Sequence, residues 1–140
     1  MFTIEKRIML TLFLGIIFCV YGCGKSFDDS AAELGLVFDS PAASDRPMSS
    51  FKMDVLPILT QRCAFAGCHV ADGPEDVDLR TYATLQKGSE HGPIVIVGDA
   101  RESELVEEIV KGKMPPEGPP LEAAEIQYII DWINEGAKDN

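Results

Sequence analysis

The chain has 140 residues, a formal net charge of −11, and only two histidines. That length allows one small domain with additions, and the acidic balance excludes a surface that holds nucleic acid or anionic lipid headgroups by charge. Its four cysteines do not make a disulfide framework once their positions are considered, so a core must come from apolar packing, from a bound group, or from both.

At the front, Glu5-Lys6-Arg7 precedes an apolar run from Ile8 to Val20, and Tyr21-Gly22-Cys23 follows. A basic start, a short apolar core and a small residue before the cysteine describe an export signal over residues 1–22. The run of 13 residues falls short of the roughly 20 that span a bilayer as a helix. Val20-Tyr21-Gly22-Cys23 resembles a bacterial lipoprotein box, which implies a lipid on Cys23 and a chain held on a bacterial membrane, facing the periplasm or the cell surface. An ordinary cleaved signal is the alternative. Cys19 lies inside the apolar run and leaves with it. Residues 1–22 hold Glu5, Lys6 and Arg7, a net +1, so the remainder carries −12. Such a surface steers toward a basic partner.

Residues 23–49 are rich in Ser, Ala, Asp and Pro and are expected to be a flexible tether. Their one apolar patch is Leu34-Gly35-Leu36-Val37-Phe38. A domain is expected over residues 50–140. Ser49-Ser50 offers a helix cap, and Phe51, Val55, Leu56 and Leu59 give a helical face running into Cys63. Pro57 either starts that helix late, near Asp54, or kinks it. Turn signals fill 70–93, interrupted by Leu79, Tyr82 and Leu85 at helical spacing. Ile94-Val95-Ile96-Val97 reads as one extended segment without a partner strand. Asp99 and Glu102 have capping-box spacing and predict a helix to about Lys111, with Leu105, Val106, Ile109 and Val110 on one stripe. Gly112 ends it, and Lys113-Met114-Pro115-Pro116 is neither helix nor central strand. The last predicted helix runs from about Glu122 to Glu135, with Ile126, Ile129, Ile130 and Ile133 buried and Tyr128 and Trp132 on a flanking face.

The chemistry concentrates in Arg62-Cys63-Ala64-Phe65-Ala66-Gly67-Cys68-His69. Two thiols with a histidine directly after the second are what covalent haem attachment needs: the cysteines add to the two vinyl groups and the histidine sits under the iron. The usual spacing is C-x-x-C-H, whereas here it is C-x-x-x-x-C-H. A thioether constrains only the sulfurs, so the longer loop can bulge from the ring edge, and Gly67 helps the chain turn. Two other readings use the same residues. One is a Cys63–Cys68 disulfide in a binding or structural lipoprotein. The other is a zinc site with His91 or a carboxylate as the fourth ligand. No Ser/His/Asp set and no phosphate-cradling glycine loop accompanies them, so an electron carrier is expected rather than an enzyme.

The order of motifs resembles the small planctomycete-type cytochrome c domains. It is carried by Val55-Leu56-Pro57-Ile58-Leu59 before the cysteines and Asp78-Leu79-Arg80-Thr81-Tyr82 after them. Val97-Gly98-Asp99, Ser103-Glu104-Leu105, Lys113-Met114-Pro115-Pro116 and Asp131-Trp132-Ile133-Asn134-Glu135-Gly136-Ala137 continue it. The resemblance implies an all-α, cytochrome c-like fold of three to four short helices around a haem, with long Pro/Gly-rich loops and the first and last helices packed together. It implies one covalent haem c on Cys63 and Cys68, with His69 as proximal and Met114 as distal ligand. A thioether is a soft neutral ligand, and His/Met ligation raises the reduction potential. His91 is the rival distal ligand, and one-electron exchange with redox proteins is the implied function.

Overall fold

The structure is a computed structural model that describes residues 25–39 and 48–140. The export signal, Cys19, Cys23 and residues 40–47 lie outside the described residues. Among the described residues, five α-helices follow one another: α1 (Phe27–Glu33), α2 (Leu56–Arg62), α3 (Tyr82–Leu85), α4 (Glu104–Val110) and α5 (Ala123–Asn134). Among the described residues there is no strand, only two isolated bridges, Ser89 with Gly92 and Ile96 with Asp99. The described helices include none long and apolar enough to cross a membrane.

Helices α2 and α5 form the centre. Ser50 caps the entry to α2, its hydroxyl accepting from the Met53 amide. A π-helical turn, Phe51–Val55, then precedes the α-helical part. Pro57 stands in the first turn of that part, where its missing N–H costs no helical bond. The proline thus marks a change of register inside one continuous helical run. From α2 and its entry turn, Phe51, Val55 and Leu59 are fully buried against Ile126, Ile129, Ile130, Trp132 and Ile133 of α5. The Phe51 ring lies 5.2 Å from Trp132 and 5.3 Å, edge-on, from Tyr82, a spacing at which aromatic pairs add to simple burial. The sequence placed Trp132 on a flanking face. It is buried instead, because its Nε1–H finds an acceptor in the Lys138 carbonyl at 2.8 Å, while Tyr128 stays exposed.

The chain's last residues close this centre. Asn140 accepts hydrogen bonds from the Lys52 amide (3.0 Å) and the Ser50 hydroxyl (3.0 Å) through its main-chain oxygen. Its side-chain oxygen takes the Phe51 amide at 2.8 Å. Amides that a helix start leaves without intrahelical partners are satisfied by the far end of the domain.

Two local expectations are corrected. Helix α4 starts at Glu104 with Ser103 as its cap residue, not at Asp99. The Asp99 carboxylate is spent on a turn, accepting from the Arg101 (3.1 Å) and Glu102 (3.2 Å) amides. The Ala100 amide is drawn to Asn134 of α5 at 2.9 Å. Ser103 is fully buried and ties the turn together, donating to the Asp99 carbonyl at 2.7 Å and accepting from the Ile96 amide at 2.9 Å. Ile94–Val97 is not extended throughout: Val97 and Gly98 make a turn that the Asp99 amide closes on the Ile96 carbonyl at 2.9 Å, while Ile94 and Val95 enter the core and Ile96 and Val97 face solvent.

Within the stretch expected to be a tether, residues 25–39 carry α1 and lie against the domain. Ser26 and Asp29 form a capping box. Phe27 and Phe38 meet edge to face at 5.4 Å. Arg101 stands over the Phe38 ring at 4.8 Å and the Phe27 ring at 5.8 Å and pairs with Asp28. The Val37 peptide exchanges two hydrogen bonds with Gln127 of α5, both 2.9 Å, and Asn134 donates to the Phe38 carbonyl. Arg101→Ala should loosen this segment selectively. Amide exchange at Val37 is expected to accelerate by about fivefold or more, the worth of an exposed cation–π contact and ion pair, while protection in α5 holds. Residue-resolved hydrogen exchange reads both.

Candidate functional site

Cys63 is the residue at which α2 ends. The residue is only 7% exposed, and burial pushes the pKa of its thiol up to about 11 against the opposing charge of Arg62, with Cys68 and Glu125 adding to the rise. A thiol held in that form resists spontaneous oxidation and metal capture at neutral pH. Cys68 is half-buried, and both cysteines are free thiols.

The four residues between them make a bulge. The Ala64 amide still reaches back to Leu59 (2.9 Å), and the Cys68 amide donates to Phe65 (2.9 Å). Gly67, at φ +85°, makes the reversal. The His69 amide then returns to the Cys63 carbonyl at 3.2 Å, so the two ends of the motif are bonded across the longer loop. Beyond it, the Leu79 amide donates to His69 at 3.1 Å. Leu79 follows Asp78, whose carboxyl the Arg80 side chain holds down at about 2. Gly73 packs so closely on this turn that a Cβ there would stand 2.1 Å from the Cys68 carbonyl oxygen.

The His69 ring is half-buried and its pKa is lowered, chiefly by burial, with the charge of Glu75 and the main chain of Val77 opposing. Burial thus favours the neutral imidazole, the form that binds metal. Its Nδ1 is buried without a hydrogen-bond partner among the described residues. Leaving such an atom orphaned costs about 1–3 kcal/mol. A ligating histidine needs one nitrogen for the metal and an acceptor beside the other. An unpartnered ring nitrogen together with the adjacent Val77 main chain suits that need.

Met114 comes from the opposite side. Helix α4 ends at Lys111, and the Glu108 carbonyl accepts both the Lys113 (2.9 Å) and Met114 (3.0 Å) amides. The Met114 side chain packs, partly buried, against the core. Two adjoining cavities, about 340 and 550 Å³, share Cys63, His69, Pro74 and Met114 as common walls. Apolar walls of the first are Val77, Leu79, Ile94, Leu105 and Ile109, beside the charged Glu75, Glu104, Glu108 and Lys113; the second adds Phe65, Cys68 and Pro115, beside the charged Arg62 and Glu117. Together they approach the upper part of the roughly 300–1,000 Å³ range of small-molecule and cofactor sites. A slot with apolar walls and charged residues around them, two thiols, an imidazole and a thioether fits an iron porphyrin with its charged propionates.

Not every candidate joins this site. His91 lies in the turn Ser89–Gly92 with a 72% exposed side chain, 3.6 Å from Glu90, and lines neither cavity. Nor is there, among the described residues, a group of three or more His, Cys, Asp or Glu side chains arranged to hold a metal ion. The zinc reading thus lacks a closed donor set. Sequence reasoning missed Arg62, which lines the second cavity and reaches the far side of the Met114 loop. Its only signal was a basic residue next to Cys63.

Residues 66–118 match the model of a family described as Planctomycete cytochrome C. The matched stretch holds Cys68, His69 and Met114 and begins just after Cys63. No curated protein and no solved structure matches the chain.

Gly73→Ala should displace the Cys68-His69 turn, because the clashing atom is main chain and cannot swing away. A loss of about 1–3 kcal/mol is expected, and more if the turn does not yield. Gly67→Ala, which meets nothing within 4 Å, should cost only its left-handed strain of about 1–2 kcal/mol. Chemical denaturation of the two variants compares them.

Proposed function

We propose that this chain, which carries a planctomycete-type cytochrome c domain, is a membrane-anchored carrier of single electrons. In this reading one haem c is held by Cys63 and Cys68, with His69 and Met114 as axial ligands. The carrying observation is convergence: His69 and Met114, 45 residues apart in the sequence, wall the same pair of cavities together with Cys63. A domain of this family points to haem binding and electron transfer rather than to substrate chemistry.

Bound in the slot, the haem iron supplies reversible one-electron chemistry between its ferrous and ferric states. The protein's part is to bind, orient and shield. Cys63 and Cys68 fix the group covalently, and the main-chain bond between His69 and Cys63 keeps the imidazole in step with the attachment points. Val77, Leu79, Leu105 and Ile109 exclude water from one side. Exclusion of water and a thioether ligand both favour the reduced, less charged state.

Two further parts of the reading rest on sequence together with fold. The export signal and Cys23 place a lipid two positions before Lys25, where the docked segment 25–39 begins. The anchor thus holds the domain close to the membrane surface on the periplasmic or outer side, instead of on a free leash of 27 residues. Around the cavities stand Glu75, Glu104, Glu108 and Glu117, while the two cations there are engaged, Lys113 with Glu108 and Arg62 with Glu125. An acidic rim on a chain of net −11 suits a redox partner with a basic docking face, and it disfavours nucleic acid.

The test is spectroscopic, on protein exported from a strain with haem-attachment machinery. The wild type should give a pyridine haemochrome of one covalent haem and, oxidised, the weak red absorbance of methionine–iron bonding. Met114→Leu should keep the haem, lose the red band and lower the reduction potential. Cys63→Ala and Cys68→Ala should each cut haem retention under denaturing conditions, and His91→Ala should change nothing. Wild-type protein that folds with no covalent haem contradicts the reading. Loss of the red band in His91→Ala with its retention in Met114→Leu would reassign the distal ligand.

A further inference from the structure

Resting on the electron-carrier reading, we infer that Arg62 is the positioning residue for the distal methionine, locking the loop that carries Met114 to the helix that carries Cys63. The loop between α4 and α5 is poorly held by its own backbone. At its entry the Glu108 carbonyl takes the Lys113 and Met114 amides. After that come Pro115, Pro116, Pro119 and Pro120, which have no N–H to give. Among the described residues, the hydrogen bonds of residues 115–120 are two, and both come from Arg62: its Nη2 donates to the Pro119 carbonyl at 3.0 Å and to the Pro120 carbonyl at 2.8 Å.

The same guanidinium holds its other end on α5. Its Nη1 stands 3.8 Å from Glu125 Oε2, the carboxylate oxygen that also accepts the Glu122 amide at 2.8 Å at the start of that helix. Three pieces of chain therefore meet at one planar group: the end of α2, the exit of the methionine loop and the first turn of α5. Arg62 and Glu125 are each about one-quarter exposed, so that ion pair is less diluted by water than a surface pair, whereas the bonds to the Pro119 and Pro120 carbonyls lie at the surface. Charge-assisted bonds to carbonyls are stronger than neutral ones. The guanidinium's fixed fork reaches several acceptors at once, whereas a lysine ammonium is a single point.

Geometry gives the lock its consequence. Arg62 is covalently next to Cys63, one attachment point of the cofactor, and lines the cavity with Met114, Pro115 and Pro116. Fastening the loop exit to that residue fixes how far the Met114 side of the cavity lies from the Cys63 side. Without the lock, the loop keeps its entry at the Glu108 carbonyl and the buried Leu121 beyond its exit, but residues 115–120 between them lose their hydrogen bonds, and the Met114 side chain is less firmly held. An outside ligand then competes more easily for its place.

The experiment titrates imidazole into the oxidised, haem-loaded full chain and follows the red methionine–iron band. Arg62→Gln should take up imidazole with an affinity about tenfold higher than wild type, the worth of one charge-assisted hydrogen bond, and lose the red band at lower temperature. Arg62→Lys should fall between the two. Glu125→Gln, which leaves both carbonyl bonds in place, should stay within about threefold of wild type. Equal imidazole affinity in wild type and Arg62→Gln, at equal haem content, overturns the inference and leaves the carrier reading intact. Should Arg62→Gln not retain haem, the Arg62→Lys titration decides, and a value equal to wild type overturns it. A wild type with haem but no methionine band overturns the inference together with His69/Met114 ligation.

Discussion

The π-helical turn Phe51–Val55 that leads into α2 packs on α5; because α2 ends at Cys63 and α5 begins just after the loop of Met114, that packing sets the separation of the cavity's two sides. That packing is an apolar contact. Phe51, Val55 and Leu59 meet Ile126, Ile129, Ile130 and Trp132, all essentially excluded from water. Apolar burial supplies the driving force without direction. Direction comes from the polar bonds at its edges: Asn140 on the amides of Lys52 and Phe51, Trp132 on Lys138, and Tyr82 on the Ala137 carbonyl. The residues after α5 thus fix the start of α2, and the end of α2 presents the thiol.

With that frame in place, the site is a matter of two short loops brought face to face. The Cys63–His69 bulge is longer than the usual spacing, yet the His69 amide returns to Cys63, so the ends of the motif stay together while Phe65, partly exposed, borders the second cavity. On the other side, Glu108 starts the methionine loop and Arg62 ends it. The space between them contains a buried imidazole nitrogen without a hydrogen-bond partner among the described residues, which costs free energy by itself, beside a soft thioether. Polar groups left incomplete inside an otherwise well-satisfied domain are what a ligand site looks like before the ligand is considered.

Much of this was legible in the sequence, for identifiable reasons. The stripe Ile126, Ile129, Ile130 and Ile133 repeats at helical spacing over more than two turns, and all four are buried. The cysteine–histidine run and Met114 were visible because their chemistry is rare in so small a set of residues. The failures share a different cause. Asp99 and Glu102 have the spacing of a helix start, but Asn134, far away in sequence, takes the Ala100 amide, and the helix starts only after Ser103, whose hydroxyl is spent on Asp99 and Ile96 instead of on a cap bond. Trp132 looked like a flanking residue because its acceptor at Lys138 belongs to a turn beyond the helix. Phe27 and Phe38 sit in a Ser- and Asp-rich stretch that reads as tether, and only Arg101 and Gln127 from elsewhere give them a surface to dock on. Arg62 escaped notice because its partners at Pro119 and Pro120 are carbonyls, which sequence does not display.

The central claim is that the slot between Cys63, His69 and Met114 holds a haem bound through both thiols. The most direct measurement is the intact mass of the exported chain under denaturing conditions, made with and without haem-attachment machinery and compared with the Cys63→Ala/Cys68→Ala double variant. The account predicts a gain of one haem mass only when the machinery is present and both thiols are intact. A chain that folds stably in the machinery-free strain with a two-proton mass loss, the mark of a Cys63–Cys68 disulfide, and gains no haem mass when the machinery is supplied, would contradict it.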